Sequence, residues 1–171
     1  DIYEANFCQE FYAENTTISP FETYEKLNKI SKPPFATLFK LRDKYLVSAS
    51  PERYLMKSGN TIISQPIKGT AKRSLDKKED KRLKKQLEID TKERSENIMI
   101  VDLVRNDLSK TALKGSVVVD ELCKVYSFKQ VHQMISTVKS EVSEEIHPVE
   151  IIKTTFPMGS MTGAPKISAM K

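Results

Sequence analysis

The chain has 171 residues, of which 39% are hydrophobic and 30% charged, and its formal net charge is +5. That length leads us to expect one domain with a buried core, and the composition is too apolar for a disordered chain. No run approaches the roughly 18–20 apolar residues that span a bilayer, and no charged n-region with an apolar stretch behind it opens the chain, so a membrane span and secretion are both unsupported.

Residues 2–13 carry β-favouring aromatics in partial alternation and predict a strand. Ser19-Pro20 followed by Glu22 predicts a helix start, with Ser19 as N-cap, running to about Ile30 before Pro33-Pro34 stops it. Short strands are expected at Phe35–Leu41, Tyr45–Ser48, Tyr54–Lys57 and Thr61–Ser64, with Lys57-Ser58-Gly59-Asn60 as a hairpin turn. Helices are expected over 77–89 and 91–109. The first carries the basic excess as mixed signs at helical spacing, with Leu83 and Leu87 as its apolar stripe. A solvated helix face accounts for that pattern, because no aromatics interleave to stack on nucleic-acid bases. Strands near 116–126 and 130–142 follow, then a helix from Pro148 to about Thr155 and a loop over Phe156–Ser160. Runs of strands next to paired helices, without βαβ alternation, predict an α+β fold with antiparallel sheet. Cys8 and Cys123 lack metal-ligand spacing and are expected as two buried thiols of a reducing cytoplasm. The Asp1 start and the abrupt stop at Lys171 read as the ends of an excised piece.

Chemistry concentrates in a few places. In Gln65-Pro66-Ile67-Lys68-Gly69-Thr70 a lysine precedes a glycine that would let a carboxylate approach the backbone N–H; a surface lysine in a turn is the plainer alternative. Glu93 and Glu96, three residues apart, suit either a hard divalent cation or the solvated first turn of a helix. Asp102, Arg105 and Asn106 share a helix face. Phe156 through Lys166 is a Gly/Ser/Thr loop entering a helix, an arrangement suited to anions but without Walker spacing. Ser50-Pro51-Glu52-Arg53 puts a carboxylate in a turn. His132 stands in an alternating strand, where a hydrogen-bonded core or rim histidine is the ordinary outcome.

Taken in this order, the clusters resemble the chorismate-utilising enzymes, the family of the anthranilate, aminodeoxychorismate, isochorismate and salicylate synthases. The matching stretches are 1–11, Ser50–Arg53, Pro66–Thr70, Glu96–Leu108, Val131-His132 and Gly159–Lys166, so they span the chain. The resemblance implies part of a catalytic domain in which antiparallel sheets are flanked by helices. Lys68 stands where the amination branch carries Lys and the other branches typically carry Ala. It is thereby implied to be a nucleophile toward chorismate, on the route to p-aminobenzoate and folate. Glu52 is implied as general acid/base, and His132, Thr70 and Thr162 as lining the ring. Gly69 and Gly163 are implied as backbone contacts, and Glu96 as one ligand of Mg²⁺. Ammonia would come from a glutamine amidotransferase. The second metal-binding glutamate, and a Tyr and an Arg gripping the enolpyruvyl carboxylate, would lie beyond Lys171. The piece alone is therefore expected to be inactive or nearly so, and to self-associate through exposed apolar surface.

Overall fold

The structure, a computed structural model, describes residues 2–171. The chain divides into two compact units, one formed by residues up to Asn6 with Tyr54–Lys171, the other by Phe7–Arg53.

The smaller unit holds one helix, α1 (Pro20–Ser31), and the antiparallel pair β2 (Phe35–Leu41) and β3 (Lys44–Ser50). The side chain of Ser19 accepts the N–H of Glu22 at 3.4 Å, and Pro20 occupies the first turn, where its missing N–H is harmless. Lys32 ends the helix in the left-handed region at φ 42°. The Arg53 guanidinium lies 5.0 Å from the centre of the Phe35 ring, a cation–π contact. Among the described residues from 7 to 53 none is fully buried. The strand expected over 2–13 shrinks to β1 (Glu4–Ala5), because the residues after it find no partner: Phe7 and Phe11 are 93% and 87% exposed. The expectation of two buried thiols fails for the same reason at Cys8, which is exposed, and holds at Cys123.

The larger unit is built on an antiparallel five-stranded sheet of β4 (Arg53–Ser58), β5 (Thr61–Gln65), β6 (Ile67–Lys72), β7 (Val118–Ser127) and β8 (Val131–Glu141). One edge of β8 takes β7; the other is shared end to end by β5 and β6. Those two are in effect one strand. Its pairing with β8 keeps a single register from Ser64↔Val138 to Ile67↔Ile135, through Pro66, whose carbonyl still accepts the Ser136 N–H at 3.2 Å. The register then slips by one residue before Thr70↔Gln133, so a bulge falls on Lys68-Gly69.

Two helices cover this sheet, α2 (Lys77–Ile89) and α3 (Thr91–Ser109), each started by an aspartate cap. Asp76 accepts from the Glu79 N–H at 2.8 Å, and Asp90 from the Glu93 N–H at 3.0 Å. From α3, Ile100, Val101, Val104 and Leu108 pack with Ile62, Val138 and Val142. A second cluster joins Leu87, Cys123, Val125 and Met134. At about 1.5–3 kcal/mol for each fully buried aliphatic side chain, these clusters hold the sheet to its helices. Burial pushes the Cys123 thiol up, which keeps it protonated and inert.

The chain finishes with α4 (Pro148–Thr155), α5 (Gly159–Thr162), β9 (Gly163–Ala164) and α6 (Lys166–Ala169). The stretch expected as loop thus starts a helical turn at Gly159. β9 pairs antiparallel with β1, matching Glu4 to Ala164 and Ala5 to Gly163. Among the described residues no helix is long and apolar enough to cross a membrane.

Candidate active site

The bulge at Lys68-Gly69 is fixed from below by a buried amide. Asn97, fully buried on α3, donates through Nδ2 to the Lys68 carbonyl and to the Met134 carbonyl, each at 3.2 Å. Its Oδ1 accepts from the Ser136 hydroxyl at 2.5 Å, and that hydroxyl in turn accepts the Cys123 N–H at 2.8 Å. Every polar atom of Asn97 is thereby used, as a buried amide requires.

Gly69 has φ +96°, and a Cβ there would lie 3.2 Å from Glu93 Cβ and from Glu93 Oε2. Glycine is needed for both reasons, and the strand can approach the first turn of α3 closely as a result.

The Lys68 ammonium forms an ion pair with Glu4 Oε1, the two side chains being 19% and 15% exposed. Glu4 stands on β1, whose partner β9 contains Gly163. A Cβ on Gly163 would come within 2.2 Å of the Glu4 carbonyl oxygen, so this strand contact also depends on glycine. The structure therefore brings Lys68, Gly69 and Gly163 into one neighbourhood, with Glu4 between the lysine and β9. Reading the sequence missed Glu4. A lone glutamate in an apparent strand gives no signal, and only its pairing reveals it.

Other expected residues lie differently. Glu52 belongs to the smaller unit, where its N–H donates to Ser50 Oγ at 3.2 Å. Thr70 is exposed beside the bulge, opposite Gln133. The Thr162 hydroxyl turns back to the Gly159 carbonyl at 3.2 Å. His132 is 1% exposed: Nε2 donates to Asp80 Oδ1 at 3.1 Å, while Nδ1 meets the Ser127 hydroxyl at 2.9 Å. The Arg73 guanidinium grips the Asp80 carboxylate through two nitrogens at 2.8 Å and, with the Ser74 N–H, holds it well below the usual carboxylate range. In this arrangement His132 bridges β8 to α2.

Glu96 is 34% exposed and pairs with Lys92 at 3.6 Å. A divalent magnesium ion wants about six oxygens, and among the described residues no group of three or more His, Cys, Asp or Glu side chains could hold a metal. Glu96 is a single carboxylate paired with a lysine, and the described residues do not make a metal site by themselves.

The Gly159–Lys166 stretch is closely packed and hydrogen-bonded to its surroundings. A Cβ on Gly159 would lie 1.9 Å from Leu103 Cδ2. Lys166 donates to Asp107 Oδ2 at 2.6 Å, the Thr155 carbonyl at 2.9 Å and the Pro157 carbonyl at 3.1 Å. A cleft of about 560 Å³ opens over this latch, lined by Tyr3, Met99, Leu103 and Ile167 among others, and its walls include neither Lys68 nor Glu96.

Comparison with known proteins follows the same lines. The family model for chorismate binding enzymes matches residues 1–171. Aminodeoxychorismate synthase component 1 of Escherichia coli is 38% identical over all 171 residues, which make up 38% of that relative. Anthranilate synthase component 1 of Bacillus subtilis is 40% identical over the same length, 33% of its own chain. Among solved structures, anthranilate synthase component I from Streptococcus pneumoniae superposes with a TM-score of 0.77 at 32% identity, over 91% of this chain and 34% of that one. The chain thus spans 33–38% of the length of these relatives.

Proposed function

The chain belongs to the chorismate binding enzyme family, and from that premise we propose that it is the segment of an aminodeoxychorismate synthase that carries the nucleophile. The reading rests on one observation: Lys68, on a bulge clamped by Asn97, presents an amine in a largely enclosed setting beside a carboxylate. An amine so placed is equipped for covalent catalysis once it is neutral.

In the proposed reaction the Lys68 amine bonds to C2 of chorismate. The C1=C2 pair moves to C1=C6, the C5=C6 pair moves to C4=C5, and the C4–O bond breaks, the oxygen leaving as water. Ammonia then adds at C4, the double bonds return, and the C2–N bond to lysine breaks. Two displacements exchange hydroxyl for amine at the same carbon. Ammonia from a glutamine amidotransferase, Glu52 as proton donor to the departing hydroxyl, and Mg²⁺ held by Glu96 with a second glutamate of the domain beyond Lys171 all belong to the reading by family resemblance. No step above depends on the metal.

The test compares the complete polypeptide with its Lys68→Ala variant, supplied with chorismate, ammonia and Mg²⁺, and identifies products by mass and chromatography. Wild type is expected to make aminodeoxychorismate, and the variant to lose it or drift toward anthranilate. Anthranilate or isochorismate from wild type overturns the assignment of amination at C4.

A further inference from the structure

We infer that Glu4 is the proton acceptor for Lys68, a role that rests on the proposed amination and adds a catalytic residue to it. Lysine enters the reaction only as a free amine, and in the structure its ammonium points at a carboxylate. That carboxylate is asymmetric. Oε1 holds the lysine, whereas Oε2 is buried with no hydrogen-bond partner. An ionised carboxylate with an orphaned, desolvated oxygen is held at a cost. A proton moved from Lys68 to Glu4 removes both charges at once and relieves it, the more so when a bound ring excludes water from the pair.

The step balances. The Lys68 ammonium gives one proton to Glu4, and the freed lone pair forms the N–C2 bond. When ammonia expels the lysine, the amine leaves with its lone pair and recovers that proton from Glu4. Glu93, on α3, also lies against the bulge, its Oε2 3.2 Å from where a Cβ on Gly69 would stand. Lys68 pairs instead with Glu4, which leaves Glu4 as the acceptor within reach. Placement on β1 adds a further property. Glu4 is carried by the strand that Gly163 and Ala164 pair with, so any shift of that segment moves the base relative to the nucleophile.

The experiment uses the complete polypeptide with chorismate and ammonia, measuring kcat and KM for wild type, Glu4→Gln, Glu4→Asp and Glu4→Ala. Glu4→Gln, which keeps the shape and loses the base, is expected to lower kcat about 100-fold with KM within about twofold. Glu4→Asp should recover part of the rate, and formate should restore turnover to Glu4→Ala in proportion to its concentration. A merely architectural Glu4 gives no formate rescue. Near-normal kcat in Glu4→Gln, or equal losses in all three variants without rescue, overturns the inference. If wild type makes aminodeoxychorismate in either of those cases, the inference about Glu4 fails alone; if wild type does not aminate at C4, the reading it rests on fails first.

Discussion

Gly69 fixes the course of the strand next to Lys68. With φ at +96° and Glu93 3.2 Å from where a Cβ would stand, Gly69→Ala strains the backbone and crowds α3 together. The expected loss is about 1–3 kcal/mol of stability, read from urea unfolding, together with a displaced Lys68. Asn97→Ala acts on the same bulge from beneath. It leaves the Lys68 and Met134 carbonyls without their donor, and about 1–3 kcal/mol should disappear from the same measurement. Lys166→Met is expected to be costlier, about 3–5 kcal/mol, because Asp107 is 8% exposed and would keep only Lys110 as a cationic partner. Unfolding midpoints unchanged by Lys166→Met would show the latch to be dispensable. At this scale the sequence was informative about residue types and poor about their partners. Lys68 and Gly69 stand out through the family resemblance of Pro66–Thr70, since those residues alone read more plainly as a surface lysine in a turn. Asn97 and Glu4 are invisible because a buried amide and a paired carboxylate look like any polar residue until the fold folds them in.

At the scale of elements, the helices were the legible part. The Asp76 and Asp90 caps and the 3.6-residue apolar rhythm from Ile98 onward leave little freedom in where α2 and α3 begin. Strands depend on partners, and there the reading failed in two opposite ways. Residues 7–13 have β-favouring side chains but nothing to pair with, so they form no strand. Ile67–Lys72 has a partner in β8 and forms one, although Pro66 and Gly69 punctuate it like a turn. The α2–β8 seam makes its own prediction. Arg73 first, then the Ser74 N–H, depress the Asp80 carboxyl in the folded state relative to its ordinary 3.8. A depressed acid stabilises the fold above its unfolded value, and that contribution is lost as pH falls through about 4 and below. The urea midpoint of wild type should therefore drop on acidification below that point. Asp80→Asn should start lower at neutral pH and lose less over the same acid range. Parallel acid limbs for the two proteins would show that the Arg73–Asp80–His132 seam carries none of the effect.

At the scale of the whole molecule, the two units differ in how much interior they have. The larger contains two buried clusters. The smaller has no fully buried residue among those described, and a helix beside a two-stranded sheet is marginal by itself. Hydrogen exchange should follow this contrast: amides of α3 and β8 exchange slowest, and those of β2 and β3 fastest among the strands. Uniform protection across both units would contradict it. Phe39, Leu41 and Leu46 of the smaller unit are 54–60% exposed, in keeping with its lack of an interior.

The sharing of one edge of β8 by β5 and β6 also has a consequence for biosynthesis. A ribosome releases β4, β5 and β6 well before residue 131 exists, so the strand carrying Lys68 leaves the exit tunnel without the neighbour that sets its register. Until β8 arrives, the Lys68-Gly69 bulge is undefined and Asn97 lacks the Met134 carbonyl and the Ser136 hydroxyl that it binds in the finished fold. Slow synthesis or an early stop codon before β8 would leave a free strand edge open to other nascent chains, and a holdase covering it during that interval would raise the yield of the folded product.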